Sequence, residues 1–140
     1  MAVSHLIFGG VLDAHPRLKI CVAHGGGFLP AYSGRSDHGH GARSDARSAI
    51  KRAPTSYLKK LYFDSIVFTH HQLEYLASVW GSDHILLGSD YPFDMAEPDP
   101  VGFIAGAKGL SNDDKAAIMG RNAAKLLKVR IPAAGKKKRK

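Results

Sequence analysis

Apolar residues concentrate in three short runs, Leu18-Lys19-Ile20-Cys21-Val22-Ala23, Leu61-Tyr62-Phe63 and Ile85-Leu86-Leu87, with little of the polar alternation of a half-exposed strand. Such runs suit strands covered on both faces, as in a parallel sheet. They predict strands over residues 18–23, 61–64 and 84–90, the first ending at the backbone-permissive turn His24-Gly25-Gly26-Gly27 and the last closed by Pro92. Between them the spacing becomes helical. Leu73, Leu76, Ala77 and Trp80 mark a helix over 72–80 that Gly81 suits as an end. Residues 6–14 read as the end of a helix stopped near Pro16, and 99–109 and 113–129 as two further helices. Ser111 or Asn112 is the N-cap of the last one, with Ile118, Ala123, Leu126 and Leu127 on its apolar face. Residues 32–52, polar and rich in Gly, Ser, Arg and His, predict a long loop with some helical turns.

This order implies an α/β chain built of parallel βαβ units with right-handed crossovers. Three strands cannot close a barrel and make a poor free-standing sheet. Exposed apolar faces are therefore expected on the strands and on residues 6–12. The 140 residues permit one small domain or a piece of a larger one, here divided into residues 1–130 and a disordered basic tail at 131–140. No apolar run reaches the roughly 18 residues of a membrane span. Residues 1–10 lack the basic start and cleavage site of a secretory signal. Cys21 is the single cysteine, which excludes an intrachain disulfide and points to a reducing, cytoplasmic setting.

The net charge of +8 falls to +3 once the five cations of 136–140 are set aside. That tail follows Pro132-Ala133-Ala134-Gly135 and carries no interleaved aromatic, so nucleic-acid binding is not expected. A targeting or phosphate-binding patch is the alternative reading of the tail.

His24 and Asp90 stand at the carboxyl ends of the first and third predicted strands, the edge from which (β/α)-barrel enzymes project catalytic groups. Imidazole and carboxylate suit a metal or acid–base chemistry, although either residue alone is more often a hydrogen-bonded structural group. His38-Gly39-His40 has His-x-His spacing but lies in the polar stretch, and adjacent residues such as His70-His71 rarely ligate one ion together. The latter pair reads as a helix entry that brings one imidazole close to the site. Asp64 could orient a neighbour, contact substrate or make a structural hydrogen bond. Tyr91, Phe93 and Trp80 read as core or pocket wall, and Cys21 as a buried small hydrophobe.

Ile20-Cys21-Val22-Ala23-His24-Gly25-Gly26-Gly27 with Pro30 and Gly34-Arg35, then Leu61-Tyr62-Phe63-Asp64, then Ile85-Leu86-Leu87-Gly88-Ser89-Asp90-Tyr91-Pro92-Phe93 resemble the aminocarboxymuconate-semialdehyde decarboxylase-like amidohydrolases. Phe8-Gly9-Gly10-Val11-Leu12 and Gly120-Arg121-Asn122-Ala123 fit as well. The resemblance implies a partial (β/α)8 TIM-type barrel, roughly its last three strands. It implies one divalent metal, most often Zn2+, with Asp90 as ligand and His24 as acid or base beside it. Arg35 stands where decarboxylase relatives grip a substrate carboxylate, in some cases across a homodimer interface. The implied activity is decarboxylation of an unsaturated or aromatic carboxylic acid, with hydrolysis by the same superfamily, or a non-catalytic remnant, as alternatives. The family's His-x-His pair and a further His have no counterpart in these motifs, so an incomplete metal site is expected.

Overall fold

The computed structural model describes residues 2–130, so the expected tail at 131–140 lies outside the described residues. The three apolar runs become one sheet in the order β1 (Cys21–Val22), β2 (Tyr62–Asp64), β3 (Ile85–Leu86), with both pairings parallel. Cys21 pairs with Tyr62, Val22 and Ile85 flank Phe63, and Leu86 pairs with Asp64. The strands are shorter than the runs because backbone groups beyond them bond elsewhere. Leu87 N–H donates to the Ile118 carbonyl (3.1 Å) and Gly88 N–H to Ser65 Oγ (3.2 Å), leaving the third run without a longer ladder.

Side chains alternate across a strand, and the two faces of this sheet differ accordingly. Phe63 and Ile85 are buried, with Val22 beside them, against Leu73, Leu76, Ile104 and Ile118; the Phe63 and Trp80 rings lie 6.2 Å apart. On the other face Cys21 is exposed and Tyr62, Asp64 and Leu86 are half-buried. The expected uncovered strand face is present there. Cys21, expected inside, lies instead on this open face of the edge strand β1.

Around the sheet run α1 (Ala2–Phe8), α2 (Val11–Ala14), α3 (Ser33–Ala42), α4 (Pro54–Leu58), α5 (His70–Trp80), α6 (Pro100–Gly106), α7 (Asn112–Ala116) and α8 (Asn122–Leu127). The helix expected to end near Pro16 is two short ones, broken where Gly10 takes φ 72°. Its apolar residues are not left open as anticipated: Ile7 and Leu12 are buried with Ile50, Tyr57 and Leu58. Tyr57 Oη donates to Asp13, tying α2 to α4.

The stretch expected as a loop contains the ten-residue α3 despite Gly34, Gly39 and Gly41. Tertiary contacts override its low helical preference. Asp37 of α3 accepts from Thr55 N–H (2.9 Å) and Thr55 Oγ1 (2.6 Å) at the start of α4, and Arg47 Nη1 donates to the carbonyls of His40 and Gly41 at the end of α3 (2.7 Å each).

The last predicted helix is interrupted at Ala117–Arg121, where Gly120 is extended, and resumes as α8. Ser111 is its N-cap, in a reciprocal capping box with Asp114. Asn122 is buried because its Nδ2 donates to the carbonyls of Ser82 and Ile85, both at 2.8 Å, locking α8 to the entry of β3.

Candidate active site

His24 and Asp90 share an unusual local conformation, with φ 57° and φ 62°. A non-glycine residue in this left-handed region costs on the order of 1 kcal/mol or more and persists only where neighbours hold it. For His24 the holding group is Asp64. Its Oδ2 accepts from His24 N–H (2.9 Å), and its Oδ1 accepts from Gly25 N–H (2.8 Å) and Ile66 N–H (3.1 Å). The carboxylate at the end of β2 thus fastens the turn leaving β1, which selects the backbone hydrogen-bonding role among those considered for it. Gly25 must be glycine here: at φ 57° an added Cβ would lie 2.4 Å from Val67 Cγ1.

The turn brings the imidazole to the carboxylate of the third strand. His24 Nε2 lies 3.5 Å from Asp90 Oδ1, with the His24 side chain 62% exposed and that of Asp90 24% exposed. This is a long contact between groups 66 residues apart in sequence, and a carboxylate can only accept, so Nε2 carries the proton when they bond. A cleft of about 310 Å3 opens beside His24, walled by Val67, Phe68, Gln72, Tyr75 and Leu76. Another of about 270 Å3 lies on its other side, between α1 and the turn, against Val3, Ser4, Phe28 and Leu29. Gln72 and Tyr75 were not singled out from sequence; their spacing at i and i+3 places them on one face of α5, which was the available signal.

The remaining candidates are dispersed. Arg35 is exposed near the start of α3, its guanidinium has no hydrogen-bond or ion-pair partner among the described residues, and it lines neither cleft. His38 and His40 lie two residues apart on α3 and so diverge; His40 is buried and its Nε2 donates to the Ile50 carbonyl (3.4 Å), while His38 is exposed. The His70 ring packs at a tilt against Phe103 of α6, with centroids 5.1 Å apart, and His71 is exposed, so neither imidazole joins His24. Trp80 is core as expected, whereas Tyr91 and Phe93 are exposed in the loop after β3 rather than forming a wall. Partial desolvation, and then the Asp64 charge, push the Cys21 thiol above its usual pKa, which keeps it protonated and a poor nucleophile.

A family model described as amidohydrolase matches residues 2–129, nearly all of the chain. The chain belongs to the amidohydrolase family. Among curated amidohydrolase relatives, it is 38% identical over 128 residues to 2-amino-3-carboxymuconate-6-semialdehyde decarboxylase of Dictyostelium discoideum, covering 91% of this chain and 36% of that protein. Among solved structures, 5-carboxyvanillate decarboxylase from Sphingomonas paucimobilis superposes with TM-score 0.80 at 30% identity, over 91% of this chain and 38% of the other. A dihydroxybenzoic acid decarboxylase from a Polaromonas species, solved with bound manganese and the inhibitor 2-nitroresorcinol, gives TM-score 0.79 at 26% identity, over 91% and 39%. The amidohydrolase chain therefore spans somewhat more than a third of these relatives, and its three parallel strands with their helices are a part of the TIM-type barrel.

The relative from the Polaromonas species holds manganese, and the fit of the present residues to such a divalent metal turns on how many ligands they offer. A catalytic zinc site uses three protein ligands at about 2.0–2.2 Å. Among the described residues no cluster of three His, Cys, Asp or Glu side chains is placed to hold an ion. His24 and Asp90 fit a part of such a site, and the donor types suit it, but they do not complete it.

Proposed function

We propose that this chain is part of a metal-dependent decarboxylase acting on an unsaturated or aromatic carboxylic acid, with His24 and Asp90 as its contribution to the reacting centre. The observation that carries this reading is the 3.5 Å approach of His24 Nε2 to Asp90 Oδ1 at the carboxyl edge of a parallel sheet. Asp90 would hold the divalent metal, and Zn2+ or the Mn2+ seen in a relative both accept carboxylate and imidazole. When bound, the metal would polarise substrate oxygen as a Lewis acid. His24 Nε2 then holds the proton that replaces the departing carboxyl group: the bond from ring or chain carbon to carboxylate breaks, carbon dioxide leaves, and the proton takes its place on that carbon. Such proton transfers contribute roughly 10²–10⁴ in rate. Asp64 keeps the imidazole aimed through the backbone of the turn. The cleft walled by Gln72 and Tyr75 receives the body of the substrate.

Arg35 is assigned the grip on a substrate carboxylate, through its two-pronged guanidinium. Its exposure and its place outside the lining of both clefts favour reaching a site across a homodimer interface. No helix among the described residues is long and apolar enough to cross a membrane, and the lone cysteine suits a cytoplasmic enzyme.

The test is a Mn2+ or Zn2+ titration of the chain, followed by electron paramagnetic resonance or competition with a chelating dye. Weak, saturable binding that Asp90→Ala abolishes and His24→Ala alters is the expected result, together with no measurable carbon dioxide release by the isolated chain. Metal binding indifferent to Asp90→Ala would overturn the assignment. The lack of a third ligand among the described residues favours one second reading, a non-catalytic member that acts through association; an absence of any metal binding would support it.

A further inference from the structure

At the amino end of the sheet, opposite His24 and Asp90, each strand is entered through a basic residue: Lys19 before β1, Lys59-Lys60 before β2 and His84 before β3. Because the strands are parallel, these residues are brought to one edge, and there they surround a cleft of about 360 Å3 whose wall also includes His15 and Leu12. Among the described residues no carboxylate lines it. The acidic side chain of α2, Asp13, is outside the lining and is engaged by Arg52 and Tyr57, with the Lys60 charge a smaller influence on it, and Asp83 is an exposed residue outside the lining. Lys19, Lys59 and Lys60 take part in no ion pair among the described residues; Lys60 Nζ lies 5.4 Å above the Tyr57 ring. His84 forms a fixed wall, since its Nδ1 donates to the Leu61 carbonyl (2.7 Å) and its ring stacks on Tyr62 at 4.9 Å. Concentrated ammonium groups in a concave, carboxylate-free wall raise the local concentration of anions, and lysine serves phosphate as a point charge.

We propose that this cleft binds a small multivalent phosphate anion of the pyrophosphate class. Multivalence matters because one exposed lysine gains little from a single charge in water, whereas an ion bearing several charges meets Lys19, Lys59 and Lys60 together. The site is independent of the decarboxylase reading, being at the other end of the strands. Its main competitor is the cationic stretch 136–140, which would attract the same ion.

The experiment titrates pyrophosphate into the full chain by calorimetry, at fixed ionic strength. Three proteins are compared: the unmodified chain, Lys19→Gln/Lys60→Gln, and a variant with residues 136–140 all changed to Gln. Saturable binding that weakens at least tenfold in Lys19→Gln/Lys60→Gln and stays within about twofold in the tail variant supports the site. Loss that follows the tail variant, or no saturable binding by the unmodified chain, overturns it. A short single-stranded oligonucleotide that binds the tail variant more tightly than pyrophosphate does, and depends on Lys19 and Lys60, overturns the small-anion assignment. Circular dichroism on each variant confirms that the fold is retained.

Discussion

At their carboxyl ends β1, β2 and β3 deliver His24, Asp64 and Asp90; at their amino ends the same strands are entered through Lys19, Lys60 and His84. The first set is short-armed and held by backbone: two residues sit in the left-handed region, and one carboxylate collects three amide hydrogens. The second set is mostly long-armed, and its lysines reach a cleft with no carboxylate in its wall. A group that must meet a reacting atom has to be placed within a fraction of an ångström, whereas attraction of a multivalent ion tolerates mobile ammonium groups. One parallel sheet thus supports a precise edge and an adaptable edge, because strand direction sorts residues before a strand from residues after it.

Both ends depend on the packed face between them, and the largest effect is expected there. Phe63 is 1% exposed and lies between Val22 and Ile85 in register. Phe63→Ala should destabilise the chain by about 3–5 kcal/mol, from lost transfer energy and the cavity left behind. Cys21→Ser, on the open face, should stay within about 0.5 kcal/mol. Urea denaturation followed by circular dichroism measures both. Equal losses would mean that the two faces are not packed as differently as the burial of their side chains indicates.

A smaller effect isolates the carboxyl edge. Asp64→Ala removes the acceptor of the His24, Gly25 and Ile66 amides. Hydrogen bonds to a charged group contribute roughly 1.5–3 kcal/mol, and partial rehydration of this half-exposed turn recovers some of that, so a loss of about 2 kcal/mol is expected. Amide hydrogen exchange should show His24 and Gly25 losing protection while Leu73 and Leu76 in α5 keep theirs apart from the global change. Uniform loss throughout the chain would make Asp64 a general stabiliser and not a clamp on that turn.

The contrast between the edges also explains what could be read in advance. Three apolar runs announce three parallel strands, and abrupt polar turns announce that His24 and Asp90 stand beyond their carboxyl ends; both facts are local. The Asp64 clamp joins residues about 40 apart and leaves no local trace beyond a carboxylate at a strand end. Helix α3, expected only as helical turns within a long loop, is hard to read for the same reason. Its three glycines argue against a helix, and the Asp37–Thr55 and Arg47–carbonyl bonds that sustain it are tertiary. Strand lengths failed because Leu87 and Gly88 spend their amides on Ile118 and Ser65. The open side of Cys21 depends on which neighbours the edge strand has, which composition does not reveal.

The amino edge has a carboxylate clamp of its own, and it supplies the smallest effect. Asp114 accepts from Ser82 Oγ (2.5 Å), just before β3, and from Ser111 N–H and Oγ at the start of α7. The Ser111 hydroxyl first and the Ser82 hydroxyl second hold its carboxyl below the usual aspartate pKa. A carboxyl whose pKa is lowered by folding adds stability that is present above the unfolded value, near 3.8, and is lost as pH falls through the lower folded value. Asp13, lowered chiefly by the Tyr57 hydroxyl, and Asp45, lowered chiefly by Arg43, titrate in the same direction. Stability should therefore decline on acidification from about pH 5 towards pH 2. Asp114→Asn should cost about 1 kcal/mol at pH 7, the usual scale for a helix cap, and should converge on the unmodified chain at low pH, where the native carboxyl is protonated too. The measurement is urea denaturation at a series of pH values. A gap between the two proteins that is the same at pH 2 and pH 7 would show that Asp114 acts through shape alone, and that the amino edge, unlike the carboxyl edge, owes nothing to a charged acceptor.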